Sequence, residues 1–408
     1  MKFSSESNHK ITSTQLFIPL SLGLALGTLG DTILYVALPQ EKILLQTGLT
    51  TGAVGLILGL NRLARLLTNH PVGTLYCYLP RRKIMIPAAF LGVIASVCYA
   101  LSTNITLMIA GRVIWGLAWS GLWIGATTMT LDISTDENRG KMSGILAFTT
   151  TIGLTICSLT AGVLCDWLGF HLAMWFTVFA CSLNVIVWLF FLPETITSFR
   201  SKKNQSLLPQ TQAAMNTRSL FKISGFIGIP LFAQNFVYNG VIVSTTVLWL
   251  ERFLGDGVKL FHTFVPIVTL AGIYSAFRIL IGATSGPIAG AFTDRTGNRK
   301  TALVIMLIFG ACTTFLLGLS IPILAFTGAI LGSIATGAIS TLVYAWAGDR
   351  FQSESASKAI GMINSMGDLG SALGPIIALN LIPLFGLPKV YSSLGLIFIA
   401  AILSILKV

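Results

Sequence analysis

The chain has 408 residues, of which 54% are hydrophobic and only 10% are charged, and its formal net charge is +12. A mean hydropathy of +0.82 excludes a soluble domain of ordinary composition. The basic residues lie in short turns between long apolar segments, so we expect no nucleic-acid partner. The six cysteines and four histidines are scattered, and neither a disulfide framework, a metal site nor a cofactor is predicted.

The apolar segments predict twelve membrane-spanning helices. Residues 1–14 form a polar N-terminal tail, and six apolar runs follow within residues 15–194. Each run of about 20 apolar residues is long enough to cross the hydrocarbon core as a helix. The polar stretch 195–222 is predicted to be a cytoplasmic linker, and six more runs fill residues 223–408. We therefore expect an all-α polytopic membrane protein made of two six-helix bundles.

The distribution of Lys and Arg predicts that both termini are cytoplasmic. With this orientation, cytoplasmic segments hold eighteen of the 26 basic residues and outer turns hold four. The remaining four lie within helices and are Arg62, Arg65, Arg112 and Arg278. Such a bias follows the positive-inside rule and supports an even number of spans. We expect a monomer embedded in the bilayer of the plasma, or inner, membrane.

One loop occurs twice and indicates an internal duplication. The stretch 290–300 lies between two apolar runs, and a diverged copy lies 217 residues earlier, at 73–83. Gly297 is expected to adopt a positive φ, and Asp294 to cap the following turn. Asp132 and Asp349 show the same spacing of 217. Two copies at half-chain spacing indicate two related halves. The residues assigned to this gating loop are Gly73, Arg82, Gly290, Asp294, Arg295, Gly297 and Arg299.

These paired loops resemble the signature between helices 2 and 3, and between helices 8 and 9, of the major facilitator superfamily. Arg112-Val-Ile-Trp-Gly116 in helix 4 resembles the R-x-x-x-G pattern of its proton-coupled members. Gly30-Asp31-Thr32 resembles the helix-1 motif of its drug/proton antiporters. The resemblance implies that two helix bundles rock around a site near the membrane midplane, with helices 1, 4, 7 and 10 lining the cavity.

Two departures from the family pattern have consequences. Residues 361–375 in helix 11 keep a glycine-proline motif that is usually found in helix 5, where Cys157-Ser158 now stands. This erosion weakens the assignment as an exporter. Cys77 and Pro80 replace the Asp and Gly of the first signature loop. We therefore expect a weakened salt-bridge gate in the N-terminal half.

Ionisable residues at membrane depth are costly and mark candidate functional sites. Asp31 and Arg112 both lie about 10 Å below the outer face, counting about 1.5 Å per residue. Burial favours the neutral acid, whereas a neighbouring guanidinium favours the carboxylate. We therefore predict a proton-coupling switch at Asp31 and Arg112, with Asp368 as a third candidate. A static ion pair, or for Asp368 a bond to a neighbouring helix, is the alternative.

Polar side chains at helical spacing predict a substrate cavity. Its candidate residues are Asn61, Arg62 and Arg65 on helix 2, Gln234, Asn235, Tyr238 and Asn239 on helix 7, and Tyr344 on helix 10. A structural network is an equal alternative for the helix-2 set. The four arginines and the two aspartates, Asp31 and Asp368, leave the interior formally +2. This charge disfavours cationic drugs and permits neutral or anionic solutes, in contrast to the helix-1 motif.

These patterns together predict a secondary active transporter that moves a small organic molecule by alternating access. Proton-coupled efflux of a drug or metabolite is the first hypothesis, with protons as the coupling ion. The alternatives are proton-coupled import of an organic anion and a membrane sensor that does not transport. We expect no enzymatic activity, because no motif for nucleotide binding, metal-assisted hydrolysis or nucleophilic catalysis occurs.

Overall fold

The structure is a computed structural model that describes residues 12–135, 138–195, 217–260, 262–351 and 353–406. Most of the predicted tail 1–14 and of the predicted linker 195–222 lies outside these ranges, and the linker remains a prediction. The N-terminal half contains α1 Ser13–Ala37, α2 Glu41–Thr47, α3 Thr51–Tyr78, α4 Arg81–Ala100, α5 Ile105–Asp132, α6 Arg139–Leu168 and α7 Phe170–Phe191.

The C-terminal half contains α8 Thr217–Gln234, a π-helical segment Asn235–Ile242, α9 Val243–Leu254, α10 Ile267–Thr296, α11 Arg299–Gly318, α12 Pro322–Arg350, α13 Ser353–Phe385, α14 Leu387–Ser393 and α15 Gly395–Ile405. A short antiparallel hairpin of β1 Gly257–Leu260 and β2 Thr263–Pro266 precedes α10. The apolar run in the sequence begins at about residue 264. The helix begins later because residues 263–266 pair with β1 instead.

Eleven of the described segments are long and apolar enough to span a membrane. The helix α3 reaches the same criterion only together with the short helix α2, which meets it at 87°. The polar residues Asn61, Arg62 and Arg65 lower the hydropathy of α3. With α3 counted as a span, the described residues contain the twelve membrane-spanning segments that the sequence predicts.

The helix boundaries repeat with the spacing found in the sequence. Adding 217 to the ends of α3 gives 268–295, and α10 spans Ile267–Thr296. The same shift moves α5 to 322–349, and α12 spans Pro322–Arg350. The two halves are therefore built on one helical plan, as duplication predicts.

The two halves touch on one face of the molecule and diverge on the other. We call the face that carries the start of α1 and the end of α15 the terminal face, and the other the opposite face. Near the opposite face, α10 passes so close to α6 that a Cβ on Gly272 would lie 2.4 Å from the carbonyl oxygen of Ser158. Asp166 of α6 accepts hydrogen bonds of 2.6 Å from both the backbone amide and the hydroxyl of Thr269.

Among the described residues, glycines near the terminal face show no such close approach between the helices of the two halves. A Cβ added at Gly73, Gly144 or Gly361, which lie towards this face, would meet no described atom within 4 Å. The space between the halves is therefore closed at the opposite face and opens towards the terminal face.

Candidate functional site

A buried ion pair lies within the N-terminal half. The fully buried Arg112 of α5 forms a salt bridge with Asp31 of α1. Its guanidinium also donates to the carbonyl oxygens of Ile57 and Leu58 on α3, at 2.8 and 3.1 Å. Asn61 donates to the same carboxylate at 3.2 Å. Since α5 is the fourth membrane-spanning helix, the contact between helices 1 and 4 that the sequence predicts is present. Asn61 belongs to the same hydrogen-bonded network.

Asp31→Asn is expected to lower the free energy of unfolding by about 3 kcal/mol, since it leaves the buried Arg112 without its counter-charge. The measurement is thermal or denaturant unfolding of the purified protein in detergent. Asp294→Asn is the matched control, because that carboxylate is 62% exposed and its ion pair contributes about 0–1 kcal/mol. Equal losses in the two variants would contradict a structural role for the buried pair.

A second ionic cluster joins the two halves. On α3, Arg62 and Arg65 lie 3.4 and 3.5 Å from the carboxylate of Asp368 on α13. The sequence placed both arginines in the substrate cavity, but their guanidinium groups face this carboxylate at the interface. The fully buried Nε atoms of both arginines have no hydrogen-bond partner. Two guanidinium groups against one carboxylate leave an excess positive charge between the halves.

A cavity of about 340 Å3 lies about midway along the helices of the C-terminal half. It is lined by the π-helical segment and by α8, α10 and α12, with Thr151 of α6 as its neighbour from the other half. The predicted cavity residues found in its lining are Gln234, Asn235, Asn239 and Tyr344. These residues therefore lie together as the spacing predicted. Asn239 donates to Asn235 at 2.8 Å, and Tyr344 donates to Asn364 at 2.5 Å.

The placement of Tyr238 in this cavity is wrong. Its side chain is buried inside the half, where its hydroxyl lies 2.7 Å from that of Thr313 and its ring centroid lies 5.7 Å from that of Phe398. The prediction assumed α-helical spacing through residues 234–239. A π-helix bonds residue i to residue i+5, so each turn is wider and Tyr238 rotates away from Asn235.

The sequence did not assign Arg278 to the cavity, although it counted this residue among the intramembrane arginines. Arg278 is half-buried on α10 and lines the cavity. It donates to the carbonyl oxygen of Tyr238 at 3.3 Å, and its fully buried Nε atom has no partner. Among the described residues, no carboxylate forms an ion pair with Arg278. Four arginines against two aspartates require two uncompensated charges. The pairing shows that one lies in the cluster of Arg62 and Arg65 and the other at Arg278.

Gln234, beside Arg278 in the cavity lining, has unused hydrogen-bonding capacity. The side chain is buried, and neither its amide nitrogen nor its amide oxygen has a partner in the described structure. Buried polar groups are nearly always hydrogen-bonded, and unpaired ones are costly. The cavity thus holds a guanidinium without a described carboxylate partner and a carboxamide without a described hydrogen-bond partner.

The C-terminal gating loop largely follows the sequence expectation. Gly297 closes α10 with a φ of 69°, as predicted. Arg299 binds Asp294 at 2.7 Å and Asp349 at 2.6 Å. The capping residue of α11 is Asn298, which accepts from the amide of residue 301, and Asp294 pairs with Arg299 instead of capping.

The N-terminal gating loop contains an ion pair of its own, and the expected weakening of this gate stays a prediction. Arg81 forms two hydrogen bonds with Asp132, at 2.8 and 3.2 Å. Glu194 accepts from the backbone amides of Arg81 and Arg82 at 3.1 and 3.0 Å. A carboxylate from the end of α7 thus supplies the acidic group that the replacement at Cys77 removes.

The other gating-loop residues make few contacts. Gly73 has no described neighbour for an added Cβ, and such a Cβ on Gly290 would be in ordinary contact with Thr341, at 3.5 Å. Arg82 donates to the carbonyl oxygen of Leu189 at 2.6 Å. Arg295 is exposed and has no ion pair among the described residues. At Gly290 the two helices are therefore no closer than ordinary van der Waals contact.

Comparison with known proteins places the chain in a family. A model of the Major Facilitator Superfamily matches residues 20–285 and 267–408. The uncharacterized MFS-type transporter YdgK of Bacillus subtilis (strain 168) is 26% identical over 356 residues, which cover 84% of this chain and 81% of that protein.

Solved structures share the fold across nearly the whole chain. The human organic anion transporter MFSD10 superposes with a TM-score of 0.66 at 17% identity, covering 97% of this chain and 100% of that one. The nucleoside transporter NupG superposes with a TM-score of 0.74 at 14% identity, covering 95% and 98% of the two chains. These likenesses extend over both helical halves. Since the family model covers most of its length, the chain belongs to the major facilitator superfamily, whose members are membrane transporters and not enzymes.

Proposed function

We propose that the protein is a secondary active transporter of small organic anions and that Arg278 binds the negative group of the substrate. The observation that carries this proposal is the cation of Arg278 in a central cavity, where no described carboxylate compensates it. Gln234 supplies an unpaired amide beside it. The name of the human organic anion transporter that shares the fold agrees with this substrate class.

Alternating access requires the two halves to rock about this cavity. The positive-inside distribution supports an orientation with the terminal face in the cytoplasm, and with this orientation the structure is a conformation open to the cytoplasm. We further propose that both termini are cytoplasmic, that the membrane is the plasma membrane and that the transporting unit is a monomer, since one chain holds the whole cavity.

We assign proton coupling to Asp368 in preference to Asp31. The pair of Asp31 and Arg112 lies within one half, so a rigid-body motion leaves it intact. Asp368 binds Arg62 and Arg65 across the interface, and opening the opposite face must separate them. We propose that Asp368 exchanges a proton when it parts from these two cations, since ionisable residues at membrane depth commonly mark proton relays. This exchange links proton binding to the motion of the halves.

Proton-coupled efflux of a drug or metabolite is the second candidate. It is favoured by Gly30-Asp31-Thr32, whose likeness to the helix-1 motif of drug/proton antiporters is its specific support. In this alternative Asp31, paired with Arg112, is the carboxylate that exchanges the proton. Asp368 then only forms ion pairs between the two halves.

The test is transport by the purified protein in proteoliposomes with an imposed proton gradient. Matched anionic, neutral and cationic organic compounds are offered on each side of the membrane. We expect uptake coupled to proton movement for the anions alone. Proton movement with cationic compounds alone would support the efflux candidate, and no movement of any solute across a broad panel would contradict transport itself.

A further inference from the structure

A second cavity, of about 640 Å3, lies in the C-terminal half between α10 and α11, with α12 as its floor. We call it the α10–α11 groove. Both wall helices pack closely on α12 but scarcely on each other. Ile288 and Phe292 on α10 and Ile305 on α11 line it and are 69%, 64% and 57% exposed. Apolar side chains exposed along a membrane-spanning helix lie against lipid or an apolar ligand.

The groove ends at a positively charged turn. Thr296, Asn298 and Thr301 line this end, where α10 passes into α11 at the terminal face. Arg295 and Lys300 flank these residues, and neither forms an ion pair within the described ranges. Since Arg299 is already held by two carboxylates, the turn presents two cations beside an apolar channel.

The length of the groove suits one lipid chain. It runs along α10 from Ile281 to Thr296, which at about 1.5 Å per residue is about 22 Å. Half of the hydrocarbon core of a bilayer is about 15 Å thick. The groove thus reaches from the membrane surface through the depth of one leaflet.

We propose that the α10–α11 groove is a binding site for an anionic phospholipid from the leaflet at the terminal face. One acyl chain lies along the apolar walls, and the negatively charged headgroup lies at Arg295 and Lys300. Basic side chains at the membrane surface attract anionic headgroups. A zwitterionic lipid adds a cationic group that these residues repel. The proposal is independent of the transported solute.

The experiment is a native mass spectrometry titration of the detergent-purified full chain. The lipids are phosphatidylglycerol and phosphatidylcholine with identical acyl chains. We expect phosphatidylglycerol to bind about thirtyfold more tightly, as follows from the usual attraction of two basic side chains. Equal affinity for the two lipids would overturn the proposal.

Two variants test the two parts of the site separately. Arg295→Gln with Lys300→Gln is expected to abolish the preference for phosphatidylglycerol. Ala302→Phe fills the groove beside the turn. We expect it to weaken the binding of both lipids by about tenfold or more and to keep the preference for phosphatidylglycerol. If Ala302→Phe binds both lipids as the wild type does, the acyl chain does not lie in the groove.

The matched control neutralises two exposed cations elsewhere on the terminal face, Lys83→Gln with Lys141→Gln. It changes the net charge by the same amount as the test variant. We expect the lipid preference of this control to equal that of the wild type. An equal loss of preference in both double variants would show that overall charge, and not this site, attracts the anionic lipid.

Discussion

Arg278→Gln is expected to lower kcat/KM for anion transport at least thirtyfold. Removing one partner of a desolvated, charge-assisted interaction costs about 2 kcal/mol or more, and here the other partner is the anionic group of the substrate. Arg278→Lys keeps the charge but loses the planar fork of donors, so we expect an intermediate loss. The measurement is initial-rate uptake into proteoliposomes across a range of anion concentrations.

The stability of the same variant separates binding from folding. Arg278 has no carboxylate partner among the described residues, so its removal leaves no counter-charge unpaired. We therefore expect Arg278→Gln to unfold at the wild-type temperature or above it. Arg252→Gln is the control, since this exposed arginine bonds to Ser320 outside the cavity. Unchanged anion kinetics in Arg278→Gln would remove the basis for an anion site.

Asp368→Asn is expected to open the opposite face and to uncouple transport from the proton gradient. The variant leaves Arg62 and Arg65 facing each other without a carboxylate. Loss of two partly buried ion pairs, at about 0.5–1 kcal/mol each, shifts the equilibrium between the two conformations by about fivefold to thirtyfold. The shift favours the state in which the halves have separated at this interface.

Accessibility at the opposite face reports this equilibrium. Leu379 of α13 is fully buried and lies against Gly55 of α3 near that face, so a cysteine there is shielded while the halves touch. We expect a membrane-impermeant maleimide to label Leu379→Cys several times faster when Asp368→Asn is also present. In both labelling experiments, with and without Asp368→Asn, the exposed Cys77 and Cys312 are replaced by serine.

The pair formed by Lys42 and Asp256 provides the matched control for the ionic cluster. It also crosses between the halves at the opposite face, at 3.2 Å, but both side chains are more than 60% exposed. Solvent screens such a pair, so we expect Asp256→Asn to change neither labelling nor coupling. If Asp368→Asn keeps full proton-driven accumulation, the coupling carboxylate is another residue, and Asp31 becomes the first to test.

Most of the architecture could be predicted from the sequence because its causes are local. The length of each apolar run sets the span, and the placement of basic turns predicts the orientation. A loop repeated at a spacing of 217 residues predicts two related halves, and the helix boundaries repeat with that spacing. The contact between Asp31 and Arg112 could also be predicted, because the family resemblance implies that their helices are neighbours.

The partners of the remaining charges depended on tertiary packing. Asp368 lies 306 residues from Arg62, and only the contact of α3 with α13 brings them together. The π-helical turn moved Tyr238 out of the cavity, and Glu194 restored the acidic group that Cys77 had removed. The sequence by itself determined how many charges lie within the membrane. The packing of the helices decided which of them neutralise one another, because ion pairing acts over a few ångströms in space, and it left Arg278 uncompensated in the cavity.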